Sequence, residues 1–544
     1  MQRVSHLMRA PYRAYVYGIN HLEALIQMGE RRYTPLGRFT PGPFQGWRFL
    51  WAPGLLGFIA SSMILAGCSF TNSPFKLNMD KTWFFGEPVQ NLGVAPSETK
   101  LIFAIVLTYA GIILLMRVWL RLAEIVKLHK GASVKQLWWR MVVWATPMLI
   151  APPLFSRDIF SYAAQGELTS HHISPYIYGP FAMGSSPYVS PVDPLWGNAP
   201  TPYGPFFLFL DGSFARLTHH NQLATVVCLR LLEVLGVGLI GWAVTAIARS
   251  LKRDPGEALV LGVLNPLVIL TLIAGGHNDA IMTGLLLVGI ALALRKLFCW
   301  AFFLCALATA IKAPAALGLA FIAWNWVRDD QAKKRERWRP ILIGSLIGFV
   351  TLSVTSWMAG FGFGWVRNLL SNGTVRSWAA PATGIGLSLT KLGNSLGLNW
   401  SEDSVLTVTR SVGLAIAIGA SLWLLWHSTK RGWLRSLGVA LVLFVMLGPV
   451  VQPWYLVWGL LLLAACYKGR EHFWLLALSI ASPFMGLPGA GELVNGFRHA
   501  SIWLVVLSCT ILLVFLAAPM GSWTQWSWPE DRPQKKYRSV ASSP

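Results

Sequence analysis

Charge is scarce in this chain, and cysteine scarcer. Of 544 residues only 12% are Asp, Glu, Lys or Arg, and six are cysteine. So low a charged fraction, beside 54% hydrophobic residues and a positive mean hydropathy, excludes a domain solvated on all sides. Cys68, Cys228, Cys299, Cys305, Cys466 and Cys509 all fall in apolar segments, which reads as small core residues and argues against a disulfide framework or a cysteine metal site. An Asp-x-Asp pair and a His pair at helical spacing are also missing, and the adjacent His171-His172 would point apart on most backbones. No metal or other cofactor is therefore required by these residues, and a divalent cation is not indicated. A Gly-rich phosphate loop is absent too, which speaks against a nucleotide-driven pump or a soluble sugar-nucleotide transferase. Neither an internal repeat nor a soluble domain is visible.

What is present in abundance is apolar sequence in runs of the length a membrane helix needs, about 20 residues. The chain reads as an all-α, polytopic membrane protein with about 13–14 transmembrane helices. A polar, basic arm (1–48) without a cleavable signal peptide precedes a two-span preface (49–140), a core (141–519) with a large loop at 156–221, and a Trp-rich basic tail (520–544). The stretch 299–327 has room only for two short half-helices meeting at Lys312-Ala313-Pro314, or for one kinked helix with a snorkelling lysine. Arg230 and Glu233, three apart on one helix face, read as a buried ion pair. The net charge of +22 would suggest nucleic acid if it were spread evenly. When the loops are alternated with 156–221 outside, the positive excess falls on the inner face. Nucleic acid is thereby disfavoured as a partner. The expected placement is a multi-pass protein of the plasma membrane with both termini cytoplasmic.

Ser156-Arg157-Asp158, where an apolar span ends, opens the 156–221 loop, which is read as lacking regular structure apart from an interfacial helix at 206–217. An adjacent Arg-Asp at that depth is a functional-site candidate, although it could equally mark the water boundary and cap a helix. In the expected topology the loop meets Gly275-Gly276-His277-Asn278-Asp279, Gln452-Pro453-Trp454-Tyr455, and Gly491-Glu492 with Arg498-His499 on the outer face. Such a polar pocket above an apolar bundle suits transfer from a lipid-linked donor. Asp158 would deprotonate an acceptor hydroxyl, with Glu167 in reserve as base or acceptor-positioning group. Arg157 and Lys312 would hold the donor phosphate. Tyr162, Tyr203, His277, Asn278, Asp279, Gln452, Trp454 and Tyr455 would line the sugar or acceptor site. A transporter or flippase for a lipid-linked sugar would share the buried charges and the broken helix. The long aromatic loop and the lack of repeats weigh against it.

The runs Ser156 to Glu167, Ser174-Pro175-Tyr176, Tyr178-Gly179-Pro180, Thr201 to Pro205, Gly275 to Asp279, Lys312-Ala313-Pro314 and Gln452 to Tyr455 resemble the actinobacterial polyprenol-phosphomannose-dependent α-1,6-mannosyltransferases of the GT-C superfamily. The resemblance covers nearly all of the membrane part. It implies elongation of the α-1,6-mannan backbone of lipomannan and lipoarabinomannan on the outer face of the membrane. The donor would be a polyprenyl phosphomannose and the acceptor a mannoside glycolipid. It also implies Asp158 as the catalytic carboxylate and a single inverting displacement. The two-span preface is a departure that puts Asp158 after the third span. Arabinofuranose and glucose are alternatives that only the resemblance disfavours.

Overall fold

The computed structural model describes residues 45–69, 98–128, 132–328, 338–368, 376 and 378–485. Most of the N-terminal arm, the expected span 499–519, the tail, and the Gly491-Glu492 and Arg498-His499 motifs lie outside the described residues. Among the described residues there are helices and turns but no strand.

Three helices lead to the Arg-Asp motif: α1 (Gln45–Ser69), α2 (Glu98–Leu128) and α3 (Val134–Ile150). The segment 156–221, read as a loop, is in fact half helical. It holds α4 (Asp158–Ser170) and α5 (Pro205–Leu217), joined by single-turn elements and tight turns. Pro205 opens α5 at a position where a helix tolerates a missing N–H. The proline- and tyrosine-rich composition applies only to the connection between the two helices. Beyond it run α6 (Gln222–Ser250), α7 (Pro255–Gly262), a π-helical turn (Val268–Ala274), α8 (Asp279–Leu294), α9 (Phe298–Thr309) and α10 (Ala316–Val327). The remainder comprises α11 (Arg339–Ala359), α12 (Pro381–Ser395), α13 (Glu402–Trp426), α14 (Trp433–Met446), α15 (Val457–Cys466) and α16 (Arg470–Met485).

Four helices among the described residues are long and apolar enough to cross a membrane, at Phe103–Lys127, Gln222–Ser250, Arg339–Ala359 and Glu402–Trp426. The Val268–Ala274 turn and α8, bent by 113°, make a fifth when taken as one broken span, and five shorter apolar helices accompany them. The all-α polytopic class is thus present, and among the described residues the apolar runs form full-length helices in some places and shorter ones in others. Many of these runs are cut short by Gly, Pro or a charged residue. The outward faces are greasy, with Trp357 81% and Phe349 67% exposed on α11, as a helix bathed in lipid requires. In the interior, α15 is apolar on every side and all of its residues are buried.

Two close backbone contacts set the frame. A Cβ on Gly236 of α6 would lie 2.4 Å from the Ile281 nitrogen of α8, so the two helices touch main chain to main chain. Gly204 does the same against the break between α9 and α10, where a Cβ would come within 2.2 Å of the Ala310 carbonyl. There the Gly204 N–H donates to Ile311 O at 2.9 Å and the Phe206 N–H to Ala310 O at 2.9 Å. These bonds satisfy carbonyls left open by the helix break. Non-helical backbone deep in a membrane protein persists only where protein supplies such partners. The two-half-helix reading of 299–327 therefore holds, with Lys312 in the break and buried.

Arg230 and Glu233 each serve a neighbouring helix end. The Arg230 guanidinium donates to the carbonyls of Met148 and Ala151 at the end of α3 and to Ile273 O, while Glu233 accepts the Ile281 N–H at 3.3 Å. Cys68, Cys305 and Cys466 are buried free thiols, as a core role predicts, whereas Cys228 is half-buried and Cys299 exposed.

Candidate active site

A cavity of about 750 Å³ opens between the start of α4, the 193–203 connection, the Lys312 break and the helices α13 to α15. That is the size of a pocket for a small organic ligand. Its lining is mixed. Ser156, Arg157, Asp158, Gln165, Gln452, Lys312 and Arg410 supply polar groups, and Leu406, Leu414, Phe444 and Val445 supply apolar surface.

Asp158 sits in the first turn of α4, where the helix dipole favours a carboxylate. Its own N–H donates to the Ser156 hydroxyl at 3.1 Å. The preceding Phe155, also on the cavity wall, has φ +69°, a left-handed conformation that a bulky residue keeps only when its surroundings impose it. Burial pushes the Asp158 carboxyl up to about 6, against the downward pull of the Lys312 charge and the Ser156 hydroxyl. A carboxylate tuned toward neutrality in a cavity is suited to take up a proton.

Behind Asp158 stands His277. Its Nδ1 lies 2.7 Å from the Thr271 carbonyl, which can only accept, so Nδ1 carries a hydrogen. In the neutral ring this leaves Nε2 as a lone pair, 3.6 Å from Asp158 Oδ2. The imidazole stacks on Trp454 with ring centroids 3.7 Å apart. Gly276, at φ +67°, makes the left-handed turn that brings His277 under Asp158.

Lys312 is held by Asp279, which is fully buried. Nζ donates to both carboxylate oxygens at 2.9 Å, and the Trp458 indole N–H donates to Oδ1 at 2.5 Å. The ammonium also lies 4.3 Å from the Tyr455 ring centroid and 5.5 Å from those of Tyr203 and Trp458. Tyr203 packs edge-on against Tyr162, which sits behind it, and Gln165 accepts from the Thr201 hydroxyl at 2.9 Å, fixing the 201–203 strap to α4.

Of the residues singled out in the sequence, Arg157, Asp158, Lys312, Tyr203, Gln452, Trp454 and Tyr455 line the cavity. His277, Asp279 and Tyr162 form the layer behind that wall. Asn278 is fully buried, and its side-chain amide has no hydrogen-bond partner among the described residues. Glu167 is not at the cavity. It accepts from or faces His171 at 3.1 Å and His220 at 2.9 Å near the other end of α4. The metal-site reading changes here, because Glu167, His171 and His220 bring three ligand atoms within 4.8 Å of one another. The grouping was hidden in the sequence by the fifty-odd residues between Glu167 and His220.

Two cavity residues were missed in the sequence. Arg410 projects from α13, and its Nε donates to Thr383 at 3.0 Å. An arginine partway along a helix whose second half is apolar was the available signal. Trp458 looked like one more apolar residue of a span, and only its contact with Asp279 distinguishes it.

Residues 54–328 match the family described as alpha-(1->6)-mannopyranosyltransferase, N-terminal domain, and residues 382–518 match the MptB C-terminal domain. The first match starts at residue 54, so most of the two-span preface lies inside the matched region. An alpha-(1->6)-mannopyranosyltransferase of Mycobacterium tuberculosis is 31% identical over 82% of this chain and 83% of its own. Alpha-(1->6)-mannopyranosyltransferase B of Corynebacterium glutamicum is 32% identical over 74% of this chain and 72% of its own. Alpha-(1->6)-mannopyranosyltransferase A of M. tuberculosis is 31% identical, covering 80% and 83% respectively. No solved structure matches.

Proposed function

The chain belongs to the alpha-(1->6)-mannopyranosyltransferase family, and from that premise we propose that it extends an α-1,6-linked mannan, drawing mannose from a polyprenyl phosphomannose at the outer face of the plasma membrane. The acceptor in this reading is a mannoside glycolipid of the lipomannan and lipoarabinomannan type. The observation that carries it is the mixed lining of one cavity. Asp158 and the cationic Arg157, Lys312 and Arg410 share it with apolar surface from Leu406, Leu414, Phe444 and Val445 that suits an isoprenoid chain.

The chemistry is one displacement. The acceptor 6-hydroxyl attacks C1 of the donor mannose, the C1–O bond to phosphate breaks, and polyprenyl phosphate departs with the bonding pair. Asp158 takes the hydroxyl proton as the new glycosidic bond forms. The His277 lone pair, aimed at the same carboxyl, favours retention of that proton on the pair. Lys312, Arg157 and Arg410 offer positive charge to the departing phosphate. Asp279 has the task of holding Lys312 in place. Tyr203, Trp454 and Tyr455 offer ring faces for the sugars, and Gln452 a hydrogen-bonding amide.

The test is incorporation of labelled mannose into a short α-1,6-mannoside by the purified protein, with polyprenyl phosphomannose and a mannose nucleotide offered in parallel. Incorporation from the lipid donor alone is expected. Equal or greater use of the nucleotide, or transfer of arabinofuranose or glucose in preference to mannose, would overturn the reading.

A further inference from the structure

The far end of α4 carries a cluster for which the transfer reaction has no use. Glu167 and His171 lie one turn apart on that helix. His220 reaches them from the hook that follows α5. Glu167 Oε1 is 3.1 Å from His171 Nε2 and Oε2 is 2.9 Å from His220 Nδ1. The Glu167 side chain is 9% exposed, while those of His171 and His220 are 55% and 45% exposed. The hook is unusual: His219 and His220 follow one another at φ +51° and +61°, both in the left-handed region. That backbone turns the His220 ring back over Glu167, and the two imidazoles stack with centroids 5.1 Å apart.

We propose that Glu167, His171 and His220 form a binding site for a divalent transition metal, with Zn²⁺ as the best match. Two imidazole nitrogens and one carboxylate oxygen suit zinc, copper or nickel better than magnesium or calcium, which prefer all-oxygen shells. Zinc bonds to such atoms run at about 2.0–2.2 Å, so its ligands sit a little over 3 Å from one another. The Glu167-to-His separations, 3.1 Å through Oε1 and 2.9 Å through Oε2, are close to that spacing, and one ligand atom from each of the three residues lies within 4.8 Å of the others. The two histidine rings are half-exposed, which leaves them space to turn toward a common ion. Their exposure also leaves room for water in a fourth position.

The ion does not reach the reacting atoms. Nine residues at 1.5 Å rise put Glu167 about 13 Å along α4 from Asp158. Its effect is mechanical. At Gly166 the two helices α4 and α5 touch backbone to backbone, a Cβ there falling 2.6 Å from Asp211 O. Metal bound between Glu167, His171 and His220 ties the ends of those same helices together. It thereby anchors the helix whose first turn presents Asp158.

The experiment uses the full chain in detergent, free of any polyhistidine tag, stripped with chelator and titrated with Co²⁺ and then Zn²⁺. Visible absorption reports cobalt coordination, and thermal unfolding reports the tie. Expected are one cobalt per chain with a ligand-field band, its displacement by zinc, and a higher unfolding temperature with either ion. His171→Ala and His220→Ala should each lose the band, whereas His172→Ala and His219→Ala should retain it. The proposal is overturned if the parent binds no stoichiometric metal, or if the His172 and His219 variants lose the band as fully as the other two.

Discussion

Lys312 lines the cavity while paired with the buried Asp279, and breaking that pair has a calculable consequence. In Asp279→Asn the ammonium, its side chain 10% exposed, loses a counter-ion that accepts from it at two oxygens 2.9 Å away. At an effective dielectric constant of 20, opposite charges at that distance attract with about 6 kcal/mol, an upper bound on the loss. The three aromatic rings around the ammonium are present in parent and variant alike, and solvent at the cavity screens part of the remainder. The expected destabilisation is therefore about 3–5 kcal/mol, the range for removing one partner of a buried pair. Lys312→Met combined with Asp279→Asn removes both charges and should recover most of the loss, to within about 1 kcal/mol of the parent. Equilibrium unfolding in detergent, followed by tryptophan fluorescence, measures Asp279→Asn, Lys312→Met and the double variant. The folded double variant should still bind the donor lipid more weakly, since the phosphate has lost a cation. A cost below about 1 kcal/mol for Asp279→Asn, or a double variant as unstable as the sum of the singles, would refute the buried-pair argument.

Other outcomes follow from the same geometry. Turnover should fall as pH drops through about 6, because Asp158 accepts a proton only when ionised and burial raises its pKa to that value. Residual turnover in Lys312→Met should show this limb at higher pH, since the ammonium holds the carboxyl down; a pH–rate profile decides both. Gly276→Ala should cost about 1–2 kcal/mol for its left-handed φ of +67°, and should also disturb Ile159, whose Cδ1 would be 2.7 Å from the new methyl. Gly262→Ala, where the nearest atom is 3.6 Å away, should change stability far less in the same unfolding assay.

How much of this was legible in the sequence varies with the range of the interaction. Apolar runs announce helices locally, so the bundle and the break at Lys312 could be read directly. Which runs are complete crossings could not, because a Gly-Gly turn bends one span by 113° without changing its mean hydropathy. Asp158 was visible as a charged residue where a span ends. Its partner His277 lies more than a hundred residues on, and only the fold brings them to 3.6 Å. Asp279 and Lys312 were each noticed, yet their pairing changes the meaning of both: one becomes the anchor of the other. Glu167 shows the opposite failure. On α4 it looks as available as Asp158, but nine residues along a helix carry it past the cavity to His171 and His220.

Whether Asp158 is the base of a lipid-donor transferase is decided by Asp158→Asn in the mannose-transfer assay, with donor-lipid binding measured on the same preparation. Transfer should fall by about 10²–10⁴-fold, the contribution of a positioned general base, with donor binding retained. Near-parental transfer by a folded, donor-binding Asp158→Asn protein would contradict that role.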